Sequence, residues 1–261
     1  MKHMTKQLHQ SVCEWSSCFS HLHGNPSDYC FFDIETTGLS PRISSVYLIG
    51  AACYQDGQVT LHQWFADDYH SEKKLLELFS DFVGNFSHLV HFNGSRFDIP
   101  YLEHKYDDYA LESPFSKLTS IDTYKTAKKM KDCVHWENCK LKTVESALGF
   151  SRRDRFSGKD CINLYMDFMK KKVFYDESSQ QCMNDLLLHN EDDLIATILS
   201  CLLLSYTTPA LHHQTWRQSR NGIQFTQQSE AMPNLSFTLK NECGTLHQEN
   251  KKCTLDIPFV K

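Results

Sequence analysis

Phe31-Phe32-Asp33-Ile34-Glu35-Thr36-Thr37-Gly38-Leu39 sets two carboxylates two residues apart at the end of an apolar run. On a β-strand, residues i and i+2 point to the same face. Asp33 and Glu35 therefore project together, while Ile34 points into the core on the other side. Carboxylates held this close repel each other unless a cation lies between them, and hard oxygen ligands suit Mg²⁺ or Mn²⁺. Gly38 lets the chain turn sharply just beyond the pair. Asp-x-Glu alone also describes an exposed acidic strand end; the nine-residue string is far more specific.

Two further stretches carry chemistry of the same kind. In His91-Phe92-Asn93-Gly94-Ser95-Arg96-Phe97-Asp98-Ile99-Pro100-Tyr101-Leu102, a strand runs into an Asn-Gly turn and a helix begins. Asp98 falls in the first turn of that helix, where the helix dipole favours a carboxylate. Capping alone explains Asp98, but it does not require Asn93 and Asp98 to frame the turn. In Leu188-His189-Asn190-Glu191-Asp192-Asp193-Leu194, His189 and Asp193 are one helical turn apart and share a face. Asp192 is a second candidate on the same helix.

Around these stretches the pattern is that of an α/β protein. Strands are expected at Tyr29–Ile34, Val46–Tyr54 and Val59–Phe65, with Asp56-Gly57 as a hairpin turn between the last two. Shorter strands are expected at Leu89–Phe92 and Phe115–Ile121. Amphipathic spacing predicts helices over Ser71–Asn85, Arg96–Tyr106, Asp122–Lys131 and Leu141–Leu148, and a long one from about Ser178 to Tyr206 with Pro209 beyond it. The order β-β-β-α-β-α-β-α-α describes a mixed sheet flanked by helices. Residues 1–26 read as a polar lead-in of helical character, 27–207 as the main domain, and 208–261 as an extension containing some β structure, from the alternation at Leu235, Phe237 and Leu239 and at Thr254–Val260.

Composition bounds the function class. The 261 residues are 41% hydrophobic, enough for a packed core, and no apolar run reaches the length of a membrane span. The N-terminus is basic but has no apolar stretch, so no secretory signal is read there and a cytoplasmic protein is expected. The 11 cysteines are irregularly spaced without a CxxC, which leaves reduced, buried thiols as the expectation. Net charge is −5, yet residues 117–172 carry fourteen Lys/Arg against seven Asp/Glu. A basic stretch beside an acidic cluster suits an enzyme that holds a phosphate backbone and also chelates metal, and equally a solvated basic face.

Together the three stretches resemble the DEDD-type 3′–5′ exonuclease superfamily, most closely its YprB-like, ribonuclease H-like branch. FFDIETTGL, HFNGSRFDIPYL and HNEDD resemble its three motifs, and Leu141-Lys142-Thr143-Val144-Glu145 with Leu148-Gly149 resembles the LK-x-x-E-x-x-LG segment of that branch. The resemblance spans about residues 28–205. It implies a ribonuclease H-like mixed sheet and 3′–5′ exonuclease action on nucleic acid, DNA or RNA, at single-stranded ends. It implies two divalent ions, Mg²⁺ or Mn²⁺, held by Asp33, Glu35, Asp98 and Asp193, with His189 as general base. In better-known branches a His stands five residues before the last Asp, or a Tyr four before; here His189 stands four before Asp193, and the family spacing favours Asp193 over Asp192. Thr36, Asn93 and Asn190 flank the carboxylates and are expected at the substrate, as are Lys128, Lys129, Arg152 and Arg153 on its phosphates. Leu39, Phe97 and Tyr101 are placed to stack on a terminal base, although as apolar residues they read first as core. Other classes built on this fold are endonucleases, strand-transfer enzymes and non-catalytic nucleic-acid-binding proteins.

Overall fold

The computed structural model describes residues 1–8, 15–206, 214–219, 221–228, 232–241 and 244–258. Six strands form the first sheet: β1 (Lys2–Leu8), β2 (Tyr29–Thr36), β3 (Val46–Gln55), β4 (Gln58–Phe65), β5 (His88–His91) and β6 (Thr119–Asp122). Their order is β1-β4-β3-β2-β5-β6. The pairs β1–β4, β4–β3 and β3–β2 are antiparallel, whereas β5 runs parallel to both β2 and β6. Asp56 and Gly57 both take positive φ (52° and 80°), the backbone that a two-residue hairpin requires, and Gln55 pairs with Gln58 across it.

Seven helices cover the sheet: α1 (Trp15–Phe19), α2 (Glu72–Val83), α3 (Asp98–Asp108), α4 (Thr123–Met130), α5 (Leu141–Ala147), α6 (Gly158–Val173) and α7 (Ser179–Ser200). A 3₁₀ turn, Cys201–Tyr206, continues α7. Cys30, Phe32 and Ile34 face a core shared with α2, α3 and α6. Tyr29 and Phe31 face the opposite core, with α1, α4, α5 and the second half of α7. Asp33 and Glu35 continue the Tyr29–Phe31 row, so strand alternation alone aims them at α7.

Three elements differ from the sequence reading. The lead-in is not helical over Lys2–Leu8: these residues pair with β4, from Lys2↔Phe65 to Leu8↔Val59. The strand reads as polar because it lies at the sheet edge, where lysines also discourage pairing with another chain. Lys6 reaches from it to Glu191 on α7 at 2.8 Å. Helix α6 lies inside the stretch read only for its charge. Its start is a capping box of Ser157 and Asp160, and Cys161, Tyr165, Phe168 and Met169 bury one face at helical spacing. The expected strand Phe115–Ile121 divides into a 3₁₀ turn, Phe115–Lys117, and the short β6.

The C-terminal extension is a second, antiparallel sheet of five strands: β7 (Gln214–Gln218), β8 (Gly222–Gln228), β9 (Phe237–Asn241), β10 (Gly244–Glu249) and β11 (Lys252–Pro258), in the order β7-β8-β11-β10-β9. The alternations at Phe237–Leu239 and from Thr254 onward become β9 and β11; Cys13, Pro209 and Val260 lie outside the described residues. Phe237 packs on Tyr206 at the end of the 3₁₀ turn that continues α7, ring centroids 5.8 Å apart. No helix among the described residues is long and apolar enough to cross a membrane. None of the described cysteines forms a disulfide.

One contact governs how α7 lies on the sheet. Gly50, opposite Asp33 on β3, sits so close to the helix that a Cβ there would stand 2.0 Å from Asn190 Oδ1 and 2.7 Å from Leu194 Cδ1. Both neighbours are buried, so neither has room to give. Gly50→Ala is therefore expected to lower stability by about 3 kcal/mol, measured by urea denaturation; an unchanged midpoint would show that α7 can move off the strand freely.

Candidate active site

Asp33 and Glu35 come from β2, Asp98 from the first position of α3, and Asp193 from α7. A register shift between Glu35 and Thr36 ends the regular pairing of β2 with β3 at the site. Asp98 is tied to the strand by the Ile34 amide, which donates to its Oδ1 at 3.3 Å. Asp33 is fixed from the helix side: Asn190 Nδ2 donates to Asp33 Oδ2 at 2.9 Å, and Gln63 Nε2 on β4 donates to Asn190 Oδ1 at 2.9 Å. Three secondary-structure elements thus bring four carboxylates together.

The electrostatics are those of a site short of positive charge. Burial, and then Asp193, Asp98 and Glu35, push the Asp33 carboxyl well above its ordinary range. Burial raises Glu35 to about 8 despite His189, and Asp193 and Asp98 push the same way. Asp98 rises to about 7, again chiefly through burial, with backbone hydrogen bonds opposing. Desolvated carboxylates in mutual repulsion favour either protons or cations between them. An all-oxygen donor set of this kind fits a hard divalent ion. Glu35, His189 and Asp193 each offer one ligand atom, all within 4.8 Å of one another.

His189 is buried beside the carboxylates. Its Nε2 lies 3.5 Å from Glu35 Oε1 and 3.4 Å from Asp193 Oδ2, and its Nδ1 lies 2.9 Å from Asp154 Oδ1. Burial opposes protonation of the ring, but Asp193, Glu35 and Asp154 together outweigh it and raise its pKa. Asp192 is turned away from the cluster. It is fully buried and accepts from the Arg153 and Asp154 amides at 2.8 and 3.0 Å and from Arg153 Nε at 3.0 Å. It anchors the loop that carries Asp154, while Asp193 faces Glu35.

Several residues expected at the substrate have other partners. Arg152 is 7% exposed in its side chain and pairs with Glu145, Asp154 and Asp193, so each guanidinium nitrogen already has a carboxylate partner. Arg153 is committed to Asp192 and Glu191, although half of its side chain reaches solvent. Asn190 is fully buried and orients Asp33. Thr36 is buried, its hydroxyl donating to the Gly38 carbonyl at 2.9 Å. Phe97 packs on the core and against Tyr101, whose own hydroxyl pairs with Ser44 Oγ at 2.7 Å. Leu39, by contrast, is 83% exposed just past the carboxylates. Lys128 and Lys129 line an open groove of about 420 Å³ with Ser95, Arg96, Tyr124 and Lys125, next to the turn that leads to Asp98.

Reading the sequence missed Asp154, Glu145 as the anchor of Arg152, and Gln63. Asp154 was masked by its neighbours in Arg152-Arg153-Asp154-Arg155, which read as a run of phosphate-binding charge. Glu145 belongs to the LK-x-x-E segment, whose role becomes visible only when its bond to Arg152 is seen. Gln63 sits on an ordinary alternating strand, and nothing in the sequence marks it.

A family model described as RNase_H superfamily matches residues 30–200 of this chain. No curated protein matches it. Among solved structures it is similar to the family B DNA polymerase of Pyrobaculum calidifontis, at 16% identity and a TM-score of 0.50, over 70% of this chain and 24% of that one. It also resembles E. coli exonuclease I in complex with single-stranded DNA, at 13% identity and a TM-score of 0.45, over 72% of this chain and 42% of that one. A further exonuclease I structure from E. coli, with a dT13 oligonucleotide, matches at 12% identity and a TM-score of 0.44, over 84% of this chain and 54% of that one. This chain therefore spans between about a quarter and about half of the length of these proteins.

The turn between β5 and Asp98 has its own titration. Asn93 takes positive φ (67°), and its amide donates to Asp122 Oδ1 at 2.8 Å. The Gly94 amide donates to His91 Nδ1 at 3.1 Å, which needs that nitrogen unprotonated, while Nε2 pairs with Ser120 Oγ at 2.7 Å. Burial depresses His91 to about 4, against the pull of Asp122, from an ordinary 6.5. Between these values the unfolded chain binds the proton and the folded one does not, so stability rises with pH across this window. Thermal melts of the wild type should thus lose stability as pH falls from about 6.5 toward 4, relative to His91→Asn; parallel profiles for the two proteins would contradict this.

Proposed function

For a chain that belongs to the RNase_H superfamily, we propose a metal-dependent 3′–5′ exonuclease that hydrolyses phosphodiester bonds at single-stranded nucleic acid ends. The observation that carries this reading is the convergence of Asp33, Glu35, Asp98 and Asp193 into one cluster in which burial and the neighbouring carboxylates push Asp33, Glu35 and Asp98 toward neutrality. A cluster that gained nothing from a cation would be a costly way to build a core. Two Mg²⁺ or Mn²⁺ ions held there would supply Lewis acidity to the attacking and leaving oxygens of a phosphodiester.

The residues divide the work by position. Asp33 interacts with all three other carboxylates of the set and would be the residue best placed to serve both ions. Glu35 and Asp193 lie on the His189 side of it, and Asp98, bonded to the Ile34 amide, lies on the α3 side. Asn190 and Gln63 hold Asp33 in one orientation, so the centre is built before substrate arrives. Lys125, Lys128, Lys129 and Arg96 along the groove beside Asp98 offer cations to the phosphates of the bound strand. Exposed Leu39 borders the centre as a surface for the terminal base. The direction of cleavage follows from the resemblance of the three motifs, and the chemistry from the carboxylates.

End-labelled linear and circular single strands of DNA and RNA, incubated with Mg²⁺ or Mn²⁺, test the assignment. The wild type is expected to release nucleotides from 3′ ends and to leave circles intact. Asp33→Ala and Asp193→Ala are expected to abolish release with an unchanged circular dichroism spectrum. Full activity in either variant would sink the site assignment, and cutting of circles would turn the reading toward an endonuclease.

A further inference from the structure

His189 lies against the carboxylates of the cluster. It stands one helical turn before Asp193, which puts the imidazole alongside that carboxylate. The ring is enclosed, its side chain only 5% exposed, and Nε2 points between Glu35 Oε1 at 3.5 Å and Asp193 Oδ2 at 3.4 Å.

We infer that His189 is a nitrogen ligand of the metal centre, sharing one dication with Glu35 and Asp193, and that this position takes Mn²⁺ or another transition-metal dication in preference to Mg²⁺. The inference rests on the metal-binding reading above. Three features of the geometry carry it. Two ligand atoms each about 2.1 Å from one ion stand about 3.0 Å apart at an octahedral angle and about 3.4 Å apart at a tetrahedral one, and both separations from Nε2 lie near the upper end of that range. The other ring nitrogen lies 2.9 Å from Asp154 Oδ1. Histidine ligands commonly show this arrangement: the far nitrogen meets a carboxylate, which fixes the ring and raises its basicity. Finally, Asp193 is held through Oδ1 by Arg152, which leaves Oδ2, the oxygen beside His189, as its single free donor. Asp154 is then a positioning residue: it holds the ring from behind, and it is itself held by Arg152 and by the Phe156 amide.

The selectivity follows from the donor set. Mg²⁺ demands oxygen ligands and dehydrates reluctantly, whereas an imidazole nitrogen suits transition-metal dications.

Electron spin-echo spectroscopy of the full-length protein with one equivalent of Mn²⁺ reads the contact directly, because a bound imidazole nitrogen modulates the echo. Modulation by ¹⁴N is expected in the wild type and is expected to vanish in His189→Gln. If that variant does not fold, wild-type protein carrying ¹⁵N-histidine gives the same readout, with the ¹⁴N modulation replaced by ¹⁵N. Asp154→Asn keeps the ring and should retain the modulation while loosening Mn²⁺ by about tenfold; unchanged affinity would overturn its positioning role. Tight Mn²⁺ binding without nitrogen modulation would overturn the inference and leave the carboxylate centre standing. Failure of the wild type to bind Mn²⁺ would overturn both.

Discussion

Four carboxylates packed into one space are the constraint around which the first sheet and its helices are arranged. Their mutual repulsion in a poorly solvated site costs free energy that ordinary packing does not return. The elevated pKa values of Asp33, Glu35 and Asp98 express that cost. Protons can relieve it, and so can divalent cations. Only cations leave the oxygens available for chemistry, and the arrangement of β2, α3 and α7 is intelligible as a means of keeping the oxygens turned inward.

The helix that closes the site is held from several sides. Gly50 lets α7 approach β3 without a side chain between them, and the space is filled by the Asn190 amide that orients Asp33. Asp192 and Glu191, between His189 and Asp193 in the chain, turn away from the cluster to Arg153 and to Lys6 of the edge strand. Arg152 ties Glu145 of α5, Asp154 of the preceding loop and Asp193 into one buried network. The two arginines that read as a nucleic-acid surface in the sequence are thus tied to acidic partners. Lys125, Lys128 and Lys129 of α4 stay exposed, beside the turn that leads to Asp98.

The legibility of these features in sequence follows their physical range. Strand alternation placed Asp33 and Glu35 on one face, and helical spacing placed His189 beside Asp193, because both relations are local. The Asp56-Gly57 hairpin was likewise readable from a few adjacent residues. Charged residues were not. Arg152, Arg153 and Lys128 are chemically alike in a sequence, and only the fold separates two guanidiniums paired with carboxylates, one of them buried, from an exposed ammonium. The edge strand Lys2–Leu8 and helix α6 were hidden for a related reason: polar and basic residues on their outer faces diluted the apolar pattern of the inner ones.

Calorimetric titration of the metal-free protein with Mn²⁺ at pH 7, in two buffers of different ionisation enthalpy, tests most directly whether cations relieve the repulsion of this cluster. Carboxyl groups lifted toward neutrality must lose protons as the ions enter, so the measured heat should differ between the buffers in proportion to the protons released. Binding with a heat independent of buffer, or no binding at all, would contradict a centre whose carboxylates are poised for metal.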